Sequence, residues 1–254
     1  MVVKSPQELA GLFKVGKVVG ETIVHMARQM RPGMTTAELD AIGAAYLKSK
    51  GAHSAPQVTY KYPSATCISI NEQAAHAIAS AQRVIQPGDL VNIDVSAELG
   101  GFFADSGASF PVPPVKPEIE KLCRYTKKAL RAAIKAVRAG EPLLAIGRAV
   151  EPIAKEGGYK IIQDLGGHGI GRKLHEPPHS IPHYLNKRAR LKLQSGLVLT
   201  IEPFLTAGQG KIYTAEDGWT LITTDGALSA QYEHTLVITD GEPVLITMAD
   251  GVDW

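Results

Sequence analysis

The sequence predicts an α+β fold in which two similar halves face each other across a shared sheet. Helical patterns occur in two pairs, and short apolar strands separate the pairs. Shifting the sequence by 107 residues places Gly33 on Gly140, and a shift of 108 sets "QPGDLVNID" (86–94) beside "QSGLVLTIE" (194–202). Two matches in order at nearly the same offset indicate an internal duplication. We therefore expect a single domain over residues 1–254, with halves at about 5–110 and 117–247.

The first helix pair has two clear start signals. Residues 5–8 (Ser-Pro-Gln-Glu) predict a capping box with proline at the first helical position, and apolar residues then recur at helical spacing. Residues 35–38 (Thr-Thr-Ala-Glu) predict a second capping box. Gly51 is expected to end the second helix.

The second helix pair is predicted from similar start and stop signals. One helix is expected from about Pro117 to Ala139, with Gly140 closing it. The next is expected from about Pro142 to Glu156, closed by Gly157 and Gly158. A proline at position 152 predicts a kink in this helix.

The segment "NIDVSAELGGFFADSG" (92–107) reads as a hairpin of two apolar strands around a Gly-Gly turn. Each strand carries one aspartate, Asp94 or Asp105. A turn centred between Leu99 and Gly100 makes the two directly opposed partners, with Cβ atoms about 4.5–5.5 Å apart. Two carboxylates that close repel each other. They could share a proton, or a divalent cation could remove the repulsion.

Further acids and histidines occupy comparable positions. Glu202 ends the equivalent strand of the second half, and Glu233 lies in the apolar strand "LSAQYEHTLVI". His168 is placed in a glycine-rich turn after an apolar strand, His175 seven residues later above the same cleft, and His76 after another strand. Four acids in or at the ends of apolar strands, with imidazoles nearby, indicate a metal site. Two other histidines are expected in loops at the cleft mouth: His179 and His183.

Composition excludes several classes of protein. Lys+Arg is 27 and Asp+Glu is 25, so the balance predicts no dedicated nucleic-acid surface, and the basic segment 185–193 reads as a solvated loop. Cys67 and Cys123 do not form a C-x-x-C pair, so neither a disulfide framework nor a zinc finger is expected. No apolar run approaches membrane-spanning length, and no cleavable signal opens the chain. The expected compartment is the cytoplasm.

The motifs around these residues resemble those of the type I methionine aminopeptidases, members of the pita-bread peptidase family. The resemblance extends from about residue 5 to 247 and implies the pita-bread fold, in which pseudo-two-fold duplicated α+β halves surround a shared curved antiparallel sheet. The matching segments are "CISINE" with His76, "NIDV" with Asp94, "ADSGASF" with Asp105, "GHGIGRKLHE" with His168 and His175, "TIEPF" with Glu202, and "SAQYEHT" with Glu233.

The resemblance implies a catalytic domain with a dinuclear metal site. Asp94 would hold one metal, Asp105 and Glu233 would bridge both, and His168 and Glu202 would hold the other. Four carboxylates and one imidazole would accept cobalt, manganese, iron or zinc. Two divalent ions would activate a water that attacks the first peptide bond of a nascent protein's N-terminal peptide. The substrate's free α-amine would bind the second metal.

Three catalytic roles and a substrate pocket also follow from the resemblance. Glu202 would accept the proton of the attacking water, His175 would stabilise the oxyanion, and His76 would hydrogen-bond the scissile amide nitrogen. The residues that would line a methionine-sized pocket are Tyr60, Tyr62, Cys67 and Trp219.

Two positions depart from the family pattern. The family usually has a large aromatic residue before its second histidine, where this chain has Leu174. Its usual His-Gly-Ile-Pro is here His-Ala-Ile-Ala at residues 76–79. These changes should alter side-chain preference and turnover but leave the metal site intact.

Two alternatives remain on the same fold. A proline-specific aminopeptidase or dipeptidase usually carries a large extra N-terminal domain, whereas about 50 residues precede the first strand here. A binding protein without catalysis would typically lack metal ligands, and all five are present. A type II enzyme would need a large insertion, but only 26 residues lie between His175 and Glu202. The chain is expected to be a bacterial-type monomer, and the sequence leaves ribosome association open.

Overall fold

Five helices are distributed along the chain in the computed structural model, which describes residues 1–254. Their bounds are α1 (Pro6–Gln29), α2 (Thr36–Ser49), α3 (Ala55–Tyr60), α4 (Pro117–Ala136) and α5 (Leu144–Gly157). None of these helices combines the length and the apolar character that crossing a membrane requires.

Fifteen strands form four antiparallel sheets. In the first half the strands are β1 (His53–Ser54), β2 (Cys67–Ile70), β3 (Gln73–Ala75), β4 (Leu90–Leu99) and β5 (Phe102–Pro111). In the second half they are β6 (Lys160–Ile161), β7 (Gly166–Gly169), β8 (Glu176–Pro182), β9 (Val198–Ile201), β10 (Phe204–Thr206), β11 (Ile212–Thr214), β12 (Leu221–Thr223), β13 (Ser229–Gln231), β14 (His234–Val237) and β15 (Val244–Leu245). Helices together with antiparallel sheets confirm the predicted α+β class.

The two largest sheets meet between the halves. One has the order β1-β4-β2 with β5 paired to β4, and the other has the order β15-β14-β9-β7-β8. Smaller sheets, β13-β10-β6 and β11-β12-β3, complete the structure. Where β5 faces β14, the Thr235 hydroxyl accepts from the Asp105 N–H at 2.9 Å and donates to the Asp105 carbonyl at 2.7 Å. A side chain thus replaces a rung of the backbone ladder where the halves join.

The first two helices begin where the sequence predicts. Both hydrogen bonds of the capping box are present at Thr35 and Glu38. At the start of α1 the Ser5 hydroxyl accepts from the Glu8 N–H. The Glu8 carboxylate, however, accepts from the Lys4 N–H at 2.7 Å instead of from Ser5. The box at α1 is therefore only half formed.

The second helix pair is shorter than predicted because neighbouring strands and loops bind its ends. The helix α4 ends at Ala136, three residues early, and the N–H groups of Ala139 and Gly140 donate to the Thr239 and Leu193 carbonyls instead of to the helix. The helix α5 begins two residues late, at Leu144, whose N–H donates to the Ala189 carbonyl. Its predicted stop is correct, since Gly158 caps the helix with φ +80°.

The hairpin register differs from the prediction by two positions. The turn is centred between Gly100 and Gly101, with φ +61° and +79°, so Leu99 pairs with Phe102. Two successive residues with positive φ suit a two-residue hairpin loop, and glycine adopts that conformation without strain. As a result Asp94 pairs with Gly107, and Asp105 pairs with Ser96. The two aspartates are diagonal neighbours on one face and not direct partners.

One large apolar cluster draws side chains from both halves of the chain. Leu12 and Ile23 of α1 pack toward β4 and β5, while Leu130 of α4 and Ile146 of α5 belong to the same cluster. The rigid packing behind β4 and β5 fixes the strands that carry the two aspartates. The exact bounds of the repeated halves remain a prediction.

Candidate active site

The acidic cluster begins on the β4–β5 hairpin, where glycine makes room for a supporting amide. A Cβ at Gly107, opposite Asp94, would collide with the Gln231 side chain. In its place the Gln231 amide nitrogen donates to Glu233 Oε2 at 2.9 Å. The Asn92 amide in turn donates to Gln231 Oε1 at 2.8 Å. A chain of buried amides therefore orients one carboxylate of the cluster.

The two glutamates come from the second half of the chain. Glu202 directly follows β9, and the Thr200 hydroxyl donates to its Oε1 at 2.8 Å. Glu233 was predicted inside a strand, but it lies in the break between β13 and β14. The break arises because the Glu233 N–H donates to the Gly107 carbonyl, at 2.8 Å. Its carbonyl accepts from the Ser106 hydroxyl at 2.7 Å.

His168 lies in strand β7 and not in the predicted turn. Its glycine neighbours allow close strand packing, since a Cβ at Gly167 would collide with the Thr200 carbonyl oxygen. The His168 Nδ1 atom donates to the Gly169 carbonyl at 3.0 Å, which leaves Nε2 unprotonated in the neutral ring. This Nε2 lies 3.8 Å from Asp105 Oδ2 and 3.7 Å from Glu202 Oε1. The unprotonated Nε2 therefore offers a free lone pair, which metal ligation requires, and two further possible ligands lie beside it.

The four carboxylates have no lysine or arginine partner within salt-bridge distance. Burial, the largest effect, raises the pKa of Asp105 to about 7. Burial followed by the charges of neighbouring carboxylates raises the pKa of Asp94, Glu202 and Glu233. Burial and then the nearby His175 lower the pKa of His168 to about 3, so its ring is neutral at pH 7.

A divalent cation fits this donor set. Asp105 Oδ1 and Glu233 Oε1 are buried and have no hydrogen-bond donor. One ligand atom from each of Asp105, His168 and Glu233 lies within 4.8 Å of the others. Buried carboxylate oxygens without donors are costly unless a cation or a proton compensates them. A neutral imidazole among carboxylates suits a first-row divalent metal.

A cavity of about 280 Å³ opens directly above the cluster. Every site residue expected from the sequence lines this cavity, apart from Glu233. The Tyr62 and Trp219 rings meet edge to face with centroids 5.1 Å apart, and Leu174 and Phe204 add apolar surface. The cavity is therefore apolar on one side and acidic at its base.

Two histidines face the open cavity. His76 has a left-handed backbone with φ +55°, and its carbonyl accepts from the Tyr62 hydroxyl at 3.1 Å. The ring of His175 lies 4.0 Å from that of His168, centroid to centroid, and its Nδ1 contacts the Tyr60 hydroxyl at 2.6 Å. Desolvation lowers the pKa of both His76 and His175, so both rings are neutral at pH 7.

Sequence reasoning placed His183 wrongly. His183 was expected in a loop at the cleft mouth, but it is 1% exposed and its Nε2 accepts from the Glu202 N–H at 3.0 Å. Burial lowers its pKa to about 3. The available signal was alternation, since His183 lies two residues after the fully buried Ile181 at the end of β8. His179, also expected in a loop, lies exposed within β8.

Comparison with known proteins shows the family to which this chain belongs. Residues 10–240 match the model of metallopeptidase family M24, and the chain belongs to this family. It is 43% identical to the Bacillus subtilis protein named methionine aminopeptidase 2, over 97% of this chain and 99% of the relative.

Solved structures support the same placement. The crystal structure of methionine aminopeptidase from Thermotoga maritima superimposes with a TM-score of 0.93 at 31% identity, covering 97% of this chain and 99% of that one. A prolidase from Pyrococcus furiosus has a TM-score of 0.78 at 22% identity, and 65% of its chain is covered. The prolidase likeness shows a shared fold alone. The pita-bread fold expected from the sequence is thereby confirmed.

Proposed function

We propose that this protein is a metal-dependent aminopeptidase that removes the N-terminal methionine of proteins. The observation that carries the proposal is an acidic cluster without counter-charge at the base of a partly apolar cavity. The relatives named methionine aminopeptidase match nearly the full length of the chain and support it. The whole of residues 1–254 would act as one catalytic domain.

Five side chains would hold two divalent ions of cobalt, manganese, iron or zinc. Asp94 would contact one ion, Asp105 and Glu233 would be shared, and His168 and Glu202 would contact the other. When bound, such ions lower the pKa of a coordinated water toward neutrality and polarise a substrate carbonyl. The orphan oxygens of Asp105 and Glu233 support their shared role.

Glu202 would accept a proton from the attacking water. Burial followed by the charge of Asp105 raises the pKa of its carboxyl group, and a carboxylate with a raised pKa is a stronger base than an exposed glutamate. The Thr200 hydroxyl and the His183 imidazole bind its side chain and its backbone N–H respectively, so its position is fixed before substrate arrives.

His175 and His76 would contact the reacting peptide bond. When the Tyr60 hydroxyl donates to His175 Nδ1, the proton of the neutral ring resides on Nε2. That N–H could donate to the developing oxyanion. His76 would hydrogen-bond the scissile amide nitrogen, and the Tyr62 contact to its carbonyl holds its strained backbone.

The apolar wall would select the methionine side chain. Tyr62, Cys67 and Trp219 line the cavity, with Tyr60 at its rim, 44% exposed. Leu174 lines the same cavity and is itself buried. The Leu174 side chain is smaller than the family's usual aromatic residue. We propose that it and the loop 76–79 alter the side-chain preference and the turnover rate.

One assay tests the proposal against both alternatives. The protein is loaded with Mn²⁺ and incubated with Met-Ala-Ser and with an Ala-Pro peptide, and released amino acids are quantified. Free methionine from Met-Ala-Ser supports the proposal, and the Glu202→Gln variant should abolish that release. Cleavage only before proline would identify a proline-specific peptidase. Release from neither peptide by protein that binds Mn²⁺ would identify a binding protein.

The setting of this reaction is part of the proposal. We infer action on nascent chains in the cytoplasm, by a monomer, without a membrane or a specific nucleic acid as partner. The molar mass in solution, measured by light scattering, tests whether the protein is a monomer. Co-sedimentation with ribosomes at low and moderate salt checks whether the chain docks where nascent peptides emerge.

A further inference from the structure

A segment behind the acidic cluster contacts the predicted bridging residues without reaching the cavity. We call residues 247–254 the strap. Its Trp254 is 6% exposed, and the indole N–H donates to the backbone carbonyl of Glu233 at 3.1 Å. The Phe110 and Trp254 rings are nearly perpendicular, with centroids 6.1 Å apart. Trp254 is absent from the cavity wall, so it would not touch substrate.

His234 links the strap to the neighbouring strand. Its ring is parallel to the indole of Trp254, with centroids 6.0 Å apart and planes 10° apart. Its Nε2 contacts the main-chain oxygen of Trp254 at 3.0 Å, and that oxygen can only accept, so Nε2 carries the proton. Its Nδ1 then accepts from the Thr247 hydroxyl at 2.8 Å. Both ends of the strap therefore bind one imidazole.

The same hydroxyl continues the network toward the second shared carboxylate. The Thr235 N–H donates to Thr247 Oγ1 at 3.2 Å, and the Thr235 hydroxyl binds both backbone groups of Asp105. The strap is also anchored to α4, where Lys127 pairs with the Asp253 carboxylate at 3.0 Å. It thus connects a fixed helix to the backbones of Asp105 and Glu233.

Glu233 needs such support because the regular ladder is interrupted at this residue. It lies between β13 and β14, and its carbonyl has two donors, the Ser106 hydroxyl at 2.7 Å and the Trp254 indole at 3.1 Å. Removing one donor loosens the peptide plane that aims the Glu233 side chain. Metal–ligand distances in proteins lie within about 0.2 Å of their standard values. Loss of a hydrogen bond that orients a metal ligand typically weakens metal affinity about 10- to 100-fold.

We propose that Trp254 is a positioning residue for Glu233, and that the strap thereby sets the metal affinity of the active site. The inference rests on the proposed metal site but concerns a residue outside the cavity. It predicts an effect on metal binding in the absence of any substrate.

The test compares two strap variants by calorimetric titration with Mn²⁺ alone. Trp254→Phe keeps an aromatic ring and removes the N–H, whereas Val252→Ala trims the strap without touching Glu233. Trp254→Phe is expected to raise the Mn²⁺ dissociation constant about tenfold or more. Val252→Ala should leave it within about twofold. Thermal unfolding in EDTA confirms that both variants fold.

The outcomes separate this inference from the proposed function. Equal Mn²⁺ affinity in wild type and Trp254→Phe would overturn the inference, and so would an equal loss in Val252→Ala. Methionine release by the wild type would then still support the function. Conversely, weaker binding in Trp254→Phe by a protein that releases no methionine would support the inference and refute the function. A wild type that binds no Mn²⁺ would refute both.

Discussion

Asp105→Asn is expected to stabilise the metal-free protein at alkaline pH while weakening its metal site. The carboxyl group of Asp105 is buried, its Oδ1 lacks a donor, and it lies among three other carboxylates. Without a cation, the folded state holds a proton on this group more tightly than the unfolded chain does. Asparagine keeps the shape of the side chain and removes the charge.

The magnitude follows from the change in pKa. Burial raises the pKa of Asp105 from 3.8 to about 7. A group whose pKa is raised on folding contributes stability that is fully present below the unfolded pKa and is lost as pH rises through the folded pKa. At about 1.4 kcal/mol per pH unit, the metal-free wild type loses about 3 kcal/mol from this group between pH 5 and pH 8. The variant does not incur this loss.

The assay is urea unfolding of EDTA-treated protein at pH 5 and pH 8. The stability of Asp105→Asn relative to wild type should rise by about 3 kcal/mol between these two pH values. Asp240→Asn, at an exposed surface position, is the control and should show no such rise. With saturating Mn²⁺ the order should reverse, because the variant lacks a charged ligand. A difference that stays constant with pH would refute the reasoning.

Three further changes test the support of the site. Gly107→Ala places a methyl group against a buried glutamine amide and should lower the free energy of unfolding, measured in urea, by about 1–3 kcal/mol. A variant as stable as the wild type would contradict the close approach of Gln231 to this glycine. Tyr60→Phe removes the 2.6 Å hydrogen bond to His175 and should lower kcat about tenfold with KM little changed. A change in KM alone would show instead that the phenol only binds substrate. His183→Leu leaves the Glu202 N–H unpaired and should lower the free energy of unfolding by about 1–3 kcal/mol, whereas His183→Gln should recover part of this loss. Equal losses in the two variants would show that packing alone matters.

Much of the local structure was predictable because its signals lie within a few residues of one another. The capping box at Thr35 and Glu38 depends on one helical turn, and Gly158 ends α5 through its own backbone freedom. Carboxylates in apolar strands were also informative, because burying charge is costly without a compensating partner. These features sufficed to predict the α+β class, and the motifs around the acids and histidines carried the resemblance to the family.

Other features depended on partners far apart in the chain. The turn at Gly100 and Gly101 shifted the hairpin register, since either of two turn centres fits the local sequence. The ends of α4 and α5 were shortened by backbone groups from distant segments. Local propensity contains no information about such competitors, so the ends of these elements could not be read from the sequence.

By itself, the sequence determined which chemical groups this protein possesses and that its acids lie in or next to apolar strands, because apolar pattern and residue type are local properties. Only the tertiary structure decided how those groups are held. It buried His183 beneath Glu202 and set Trp254 behind Glu233, across 19 and 21 positions of the chain. Such contacts form only when separate strands and the end of the chain pack together, and a hydrogen bond between distant residues leaves no periodic trace in the sequence.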